Sequence, residues 1–204
     1  MGPDAPLAMA DGPIAAAGDA PVCRKELLGL LRAGSPGAPA PAASRIEALI
    51  ERLEQLQPAD LSAQTAQLAG VWELRWSSSS QPYLAVQPWL ENLQLLDPAA
   101  GRALNLLRLA GPLGPLAGIG VQARITVEPA PPHQRVSVRF ERGGWLGPQI
   151  GERRLQLFRE VQQSFPAWLD ITVIDDELRI SRGNAGTLFA LVRRPDLALA
   201  AFLA

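Results

Sequence analysis

Asp170, Asp175, Asp176 and Glu177 cluster near the end of the chain. Neighbouring carboxylates can serve general acid and base chemistry. Asp175 and Asp176, however, fall where a hairpin turn is needed, and aspartate favours turns by hydrogen-bonding to local backbone. Nucleophilic catalysis finds no Gly-x-Ser-x-Gly elbow. His133 is the single histidine and follows Pro131-Pro132 in a loop, and Cys23 is the single cysteine. Far apart in sequence, the two cannot build a zinc site by themselves, and one cysteine rules out an intramolecular disulfide. Leu109–Gly120 reads LAGPLGPLAGIG, glycine-rich like a phosphate loop, but it lacks Gly-Lys-Ser/Thr and no helix starts after it. These residues point away from an enzyme, a metal centre and a resident cofactor.

What remains is the chemistry of binding. Gly70-Val71-Trp72 opens a strand, and Gly-x-Trp at that place resembles the entry to lipocalin-like barrels. A large ring there can seal the barrel base while a guanidinium from a late strand stacks on it. Arg179, Arg182 and Arg193 are the candidates for that partner.

The elements that must position these residues show in the hydrophobic period. Met1–Pro21 is rich in Ala, Gly and Pro and reads as a disordered leader extending to residue 22. Arg24–Arg32 reads as a short helix, and Ala33–Ala42 as a linker. Ser44 with Glu47 three residues later has the form of a capping box. Ile46, Leu49, Ile50, Leu53 and Leu56 then lie on one helical stripe. The N-terminal helices are thus expected within 23–58. After Gly70 the period becomes two. Trp72, Leu74 and Trp76 alternate with polar or smaller residues, as do Val121, Ala123, Ile125 and Val127, and Val136, Val138 and Phe140. Further strands are expected at Leu90–Leu96, Arg102–Leu109, Arg153–Phe158, Leu169–Ile174, Leu178–Arg182 and Thr187–Arg193. Eight or nine short strands with no intervening helix favour a mainly β fold, an antiparallel barrel over 68–194, followed by an apolar tail at 195–204.

Composition narrows the partners. The 204 residues are 48 % apolar with net charge −1, which excludes a basic nucleic-acid footprint. The most apolar region, Ala103–Val121, is broken by Asn105, Arg108, Pro112, Pro115 and four glycines, so no transmembrane segment is expected. The N-terminus carries Asp4, Asp11 and Asp19 without a basic region or a long apolar run, so a cytoplasmic location is expected. Leu109, Leu113, Leu116 and Ile119 would form either a lid over the barrel mouth or a patch on a membrane surface. An eight-stranded interior is wide enough to be packed solid or to hold one small ligand. Its walls and mouth are assigned to Trp72, Leu74, Trp76, Val121, Ile125, Val136, Val138, Phe140, Asp175 and Arg179.

Two segments resemble a known family. Leu68–Ser79, LAGVWELRWSSS, is similar to the opening strand of the plastid lipid-associated, or PAP/fibrillin, proteins. Trp168–Leu191, WLDITVIDDELRISRGNAGTLFAL, resembles their closing block, with Val173 and Ile174 where the family has Tyr-Leu. Asn105-Leu106-Leu107 resembles the Asn-Val-Val of a middle strand. The resemblance runs from about Leu27 to Val192. It implies a lipocalin-like barrel that binds lipids, quinones or carotenoids beside thylakoids or plastoglobule-like bodies; without a transit-like leader, a cyanobacterial member is expected rather than an imported plastid one. It also places the closing-block acid, Asp175, at the ligand mouth. A structural coat on lipid droplets and a bilin-lyase-like barrel are the alternative readings.

Overall fold

A computed structural model describes residues 19–33, 43–79, 81, 86–151 and 153–203. Most of the expected leader, most of the linker and Ser80 lie outside these residues. Helix α1 spans Asp19–Arg32, α2 Ala43–Leu56 and α3 Leu61–Leu68. α1 starts ahead of Arg24, so residues 19–22 are helical rather than leader. Asp19 puts a negative charge on its first turn, where the helix dipole favours one. α2 starts at Ala43, which leaves Ser44 inside the first turn instead of capping it.

Among the described residues nine strands follow: β1 (Gly70–Ser77), β2 (Leu90–Asp97), β3 (Arg102–Leu109), β4 (Gly118–Val127), β5 (Arg135–Ile150), β6 (Arg153–Glu160), β7 (Ala167–Ile174), β8 (Leu178–Gly183) and β9 (Leu188–Arg193). β1, β2, β3, β4, β5, β7, β8 and β9 pair in a ring, each antiparallel to its neighbours. The fold is therefore a closed eight-stranded barrel of the lipocalin-like kind. β6 stands outside the ring, paired with the second half of β5 from Arg142 onward. β5 is much longer than the expected strand around Val136–Phe140, because its extension beyond the barrel finds β4 on one side and β6 on the other.

Each face of the strands has its own core. Outside, Leu27, Leu28 and Leu31 of α1 and Ile46, Ile50 and Leu53 of α2 pack on Val173, Leu178, Ile180, Ala190 and Val192. Farther round, the tail residues Leu197, Leu199, Phe202 and Leu203 cover Val71, Leu93, Leu95, Leu104 and Leu106. The tail itself is helical only in a single 3-10 turn, Leu199–Ala201. Inside, Trp72, Leu74, Ile125, Val136, Ile171 and Leu191 belong to a third cluster with Leu61 and Leu68 of α3.

α3 is the element that sequence periodicity did not announce. Its segment, LSAQTAQL, has little apolar stripe of its own. It is held instead by its start and its neighbours: the Ser62 N–H donates to the Asp60 side chain at 2.9 Å, and the Leu61 N–H donates to the His133 carbonyl at 2.7 Å. Gln134 Nε2 donates to the Ala59 carbonyl at 3.1 Å. The helix thereby stoppers the barrel end from which β1 departs.

Candidate ligand-binding site

The interior is not packed solid. A cavity of about 280 Å³ lies within the barrel, lined by Leu96, Ala103, Ala123, Ile125, Val136, Val138 and Phe140, with Ala167, Leu169 and Phe189 on the opposite strands. Its origin is visible in the register: Ala103 and Ala123 are direct cross-strand partners. Two adjacent methyl groups on the inner face leave room that larger side chains would take. The polar lining comes from Gln94 and Asn105, also cross-strand partners, from Arg179, and from Asn184 between β8 and β9. A larger groove of about 500 Å³ lies on the outside beneath Phe202, but Arg102, Glu141, Arg142 and Arg154 line it, so it suits an apolar guest less well.

Trp72 is fully buried beside the cavity, against two of its lining residues, Leu68 and Arg179. Its Nε1–H donates to the Leu68 carbonyl at 2.9 Å, joining the ring to α3. Two guanidinium groups stack on it, Arg193 at 4.2 Å and Arg179 at 5.3 Å from a ring centroid. Arg193 spends its donors on carbonyls: Nε to Asp176, Nη1 to Ala69 and Nη2 to Gln67, each at 2.6 Å. This path explains Gly70, whose φ is +132° and where a Cβ would stand 2.5 Å from Arg193 Nη1. Arg182, the third candidate, points outward and binds Glu54 of α2 at 2.6 and 2.8 Å.

Arg179 is different. It is fully buried, and only its Nη2 has a partner, Gln94 Oε1. Nε and Nη1 are buried without a hydrogen bond. Burial, and then the like charge of Arg193, push its pKa down to about 9, so it stays a cation at neutral pH. Two residues along, on the same inner stripe of β8, Ser181 also buries a hydroxyl that has no partner.

Of the sequence-assigned wall residues, Ile125, Val136, Val138, Phe140 and Arg179 line the cavity; Trp72 and Leu74 do not line it but are buried in the same interior cluster. Val121 shares their inner face but stands farther toward the mouth, opposite Asn105. Two residues lie elsewhere. Trp76 is on the outside, packed against the cluster under α1 and α2. A bulge in the β1–β9 register between Leu74 and Trp76 inserts one residue and reverses the alternation. Asp175 is not at the mouth but in the β7–β8 turn near the stoppered end. It accepts from Arg24 Nε at 2.6 Å and Nη2 at 2.9 Å, and from the Glu177 and Leu178 N–H groups. Burial opposes its ionisation, yet Arg24 and these N–H groups outweigh it and hold the carboxyl below its usual range. Gln94, Asn105 and Ser181 are not among the sequence-assigned wall residues, which follow the apolar stripes. The period-two alternation of β8 from Arg179 is the signal that would have found Ser181.

The PAP_fibrillin family model matches residues 25–192, from α1 through β9. The chain belongs to the PAP/fibrillin family. No curated protein and no solved structure matches it. Membership of the PAP/fibrillin family and the barrel fold are compatible with a lipid-associated protein, and the match spans every strand that walls the cavity. Among the described residues no helix is long and apolar enough to cross a membrane.

Proposed function

We propose that this PAP/fibrillin protein is a non-enzymatic carrier that holds one apolar small molecule of the lipid, quinone or carotenoid class inside its barrel, beside a thylakoid membrane or lipid body. The single observation carrying this reading is the mainly apolar cavity of about 280 Å³ inside the barrel. That volume sits near the lower end of small-molecule sites, which run from about 300 to 1,000 Å³. It fits one slender chain or ring better than a bulky pigment. The thylakoid setting rests on family kinship alone.

A filling substitution tests the reading. Ala123→Phe places a ring where the cavity lies, and is expected to abolish saturable binding of a neutral apolar fluorophore such as N-phenyl-1-naphthylamine. The far-ultraviolet circular dichroism should stay as in the parent. Unchanged binding would place the fluorophore outside the barrel.

A second reading has its own observation. Beyond the mouth, the register joins Ile119 to Trp145 and Trp145 to Leu157. These side chains are 67 %, 36 % and 72 % exposed, and Leu109, Leu113 and Leu116 nearby are exposed too. A contiguous apolar patch of this kind suits docking on a lipid surface. Replacing Ile119 and Leu157 together by Asp is expected to abolish flotation with liposomes while leaving fluorophore binding in place.

A further inference from the structure

Resting on the carrier reading, we propose that the guest in the cavity is an amphiphile with a carboxylate, received by Arg179 and Ser181. The inner stripe of β8 carries two orphaned donors in succession: Arg179, which lines the cavity, and Ser181, which is buried next along the stripe without itself lining it. Arg179 buries Nε and Nη1 without partners, and Ser181 buries Oγ without one. Successive inner residues of a strand stand about 7 Å apart, within reach of one head group lying between or beside them.

Orphaned polar atoms inside a protein are few, because each costs the desolvation of a group that water would have satisfied. A buried cation without an anion costs more still. Arg179 has no such anion: among the described residues no Asp or Glu lines the cavity. Its one partner, Gln94, is neutral, and its charged neighbour Arg193 is another cation. By contrast, Arg24, Arg135, Arg182 and Arg194 all hold carboxylates. The chain therefore has ample acidic residues and places none here.

These unpartnered donors have the features of a receptor for an anion. All the unmet groups on Arg179 are donors, and the Ser181 hydroxyl can donate as well. A carboxylate is acceptor-only, with two oxygens to share among them. Besides Arg179, Gln94, Asn105 and Asn184, whose Nδ2 donates to the Pro166 carbonyl at 3.4 Å, the lining is apolar or aromatic, so most of the guest must be hydrocarbon. An alcohol or a quinone would satisfy a donor but would leave the charge uncompensated.

The test uses the delipidated full chain with bound N-phenyl-1-naphthylamine, displaced by dodecanoate, dodecanol or acetate. In the parent protein dodecanoate is expected to displace the fluorophore at about tenfold lower concentration than dodecanol, in line with a charge-assisted hydrogen bond. Acetate should not displace it. Arg179→Met should weaken dodecanoate far more than dodecanol and so remove the preference for the acid, and Ser181→Ala should reduce that preference in part. If Arg179→Met does not fold, the parent and Ser181→Ala decide. Equal displacement by acid and alcohol overturns the proposal and leaves the carrier reading standing. Displacement by acetate shows a small-anion site and also overturns it. A parent protein that binds neither fluorophore nor dodecanol fails the carrier reading itself.

Discussion

The strands β7, β8 and β9 have two faces with opposite character. Outward, Leu178, Ile180, Ala190 and Val192 are packed against α1 and α2, and the charges at their edges are paired: Arg182 with Glu54, and Arg24 with Asp175. Inward, the same strands border a hollow, and Arg179 and Ser181 keep donors unmet. A protein that can satisfy polar groups on one side of a strand and leaves them orphaned on the other has used the two sides differently. The outer face holds the fold together, and the inner face is kept open at some cost in stability.

This contrast can be broken or sharpened by substitution. The largest effect is expected at the closed end of the barrel, where α3, Arg179 and Arg193 meet one ring. Trp72→Ala removes a fully buried indole and should lower stability by about 3–5 kcal/mol, read from denaturant melts. A loss under about 1 kcal/mol would show that Trp72 does not close the barrel. Next, paired truncations compare the faces. Leu53→Ala in the helix-covered core should cost about 2–4 kcal/mol, whereas Val138→Ala on the cavity wall should cost about 1 kcal/mol or less, because it enlarges a space already there. Equal costs would mean that the interior is as well packed as the exterior.

Removing the unmet charge should cost still less. Arg179→Met is expected to leave the ligand-free protein at least as stable as the parent, since an apolar side chain of similar length takes the place of an unpaired buried cation. Marked destabilisation would show that stacking on Trp72 is its main task. The smallest effect concerns acid. Asp175 has its pKa lowered in the folded state, so the stability it contributes is present above the ordinary carboxylate range near about 4 and is lost as pH falls through and below it. Asp175→Asn should therefore flatten the dependence of melting temperature on pH below about 4. An unchanged slope would assign that dependence to other carboxylates.

Much of the barrel was legible because period-two stripes report directly which residues face inward. Ile125, Val136, Val138 and Phe140 reached the cavity by that rule. The rule failed where the backbone slipped. Nothing in Trp72–Trp76 marks the bulge that sends Trp76 outward, since a bulge is set by the partner strand as much as by the strand itself. The second half of β5 was hidden by Gly143, Gly144, Gly147 and Pro148, which read as loop residues and become strand only because β4 and β6 flank them. α3 was hidden because its stability comes from the barrel it stoppers, not from a stripe of its own. Among the site residues, Arg179 was readable as a partner for Trp72. That its remaining donors go unmet, and that Asp175 serves α1 instead of the mouth, depends on which residues the fold brings near them.

The most direct measurement is a crystal structure of the protein soaked with a bromine-tipped alkyl carboxylate, its bromine located by anomalous scattering. A guest held inside the barrel puts the bromine beyond Arg179 among Ala103, Ala123 and Val138, with the carboxylate end at the guanidinium. Bromine found only along Ile119, Trp145 and Leu157, with the interior unchanged, would contradict a ligand-holding barrel.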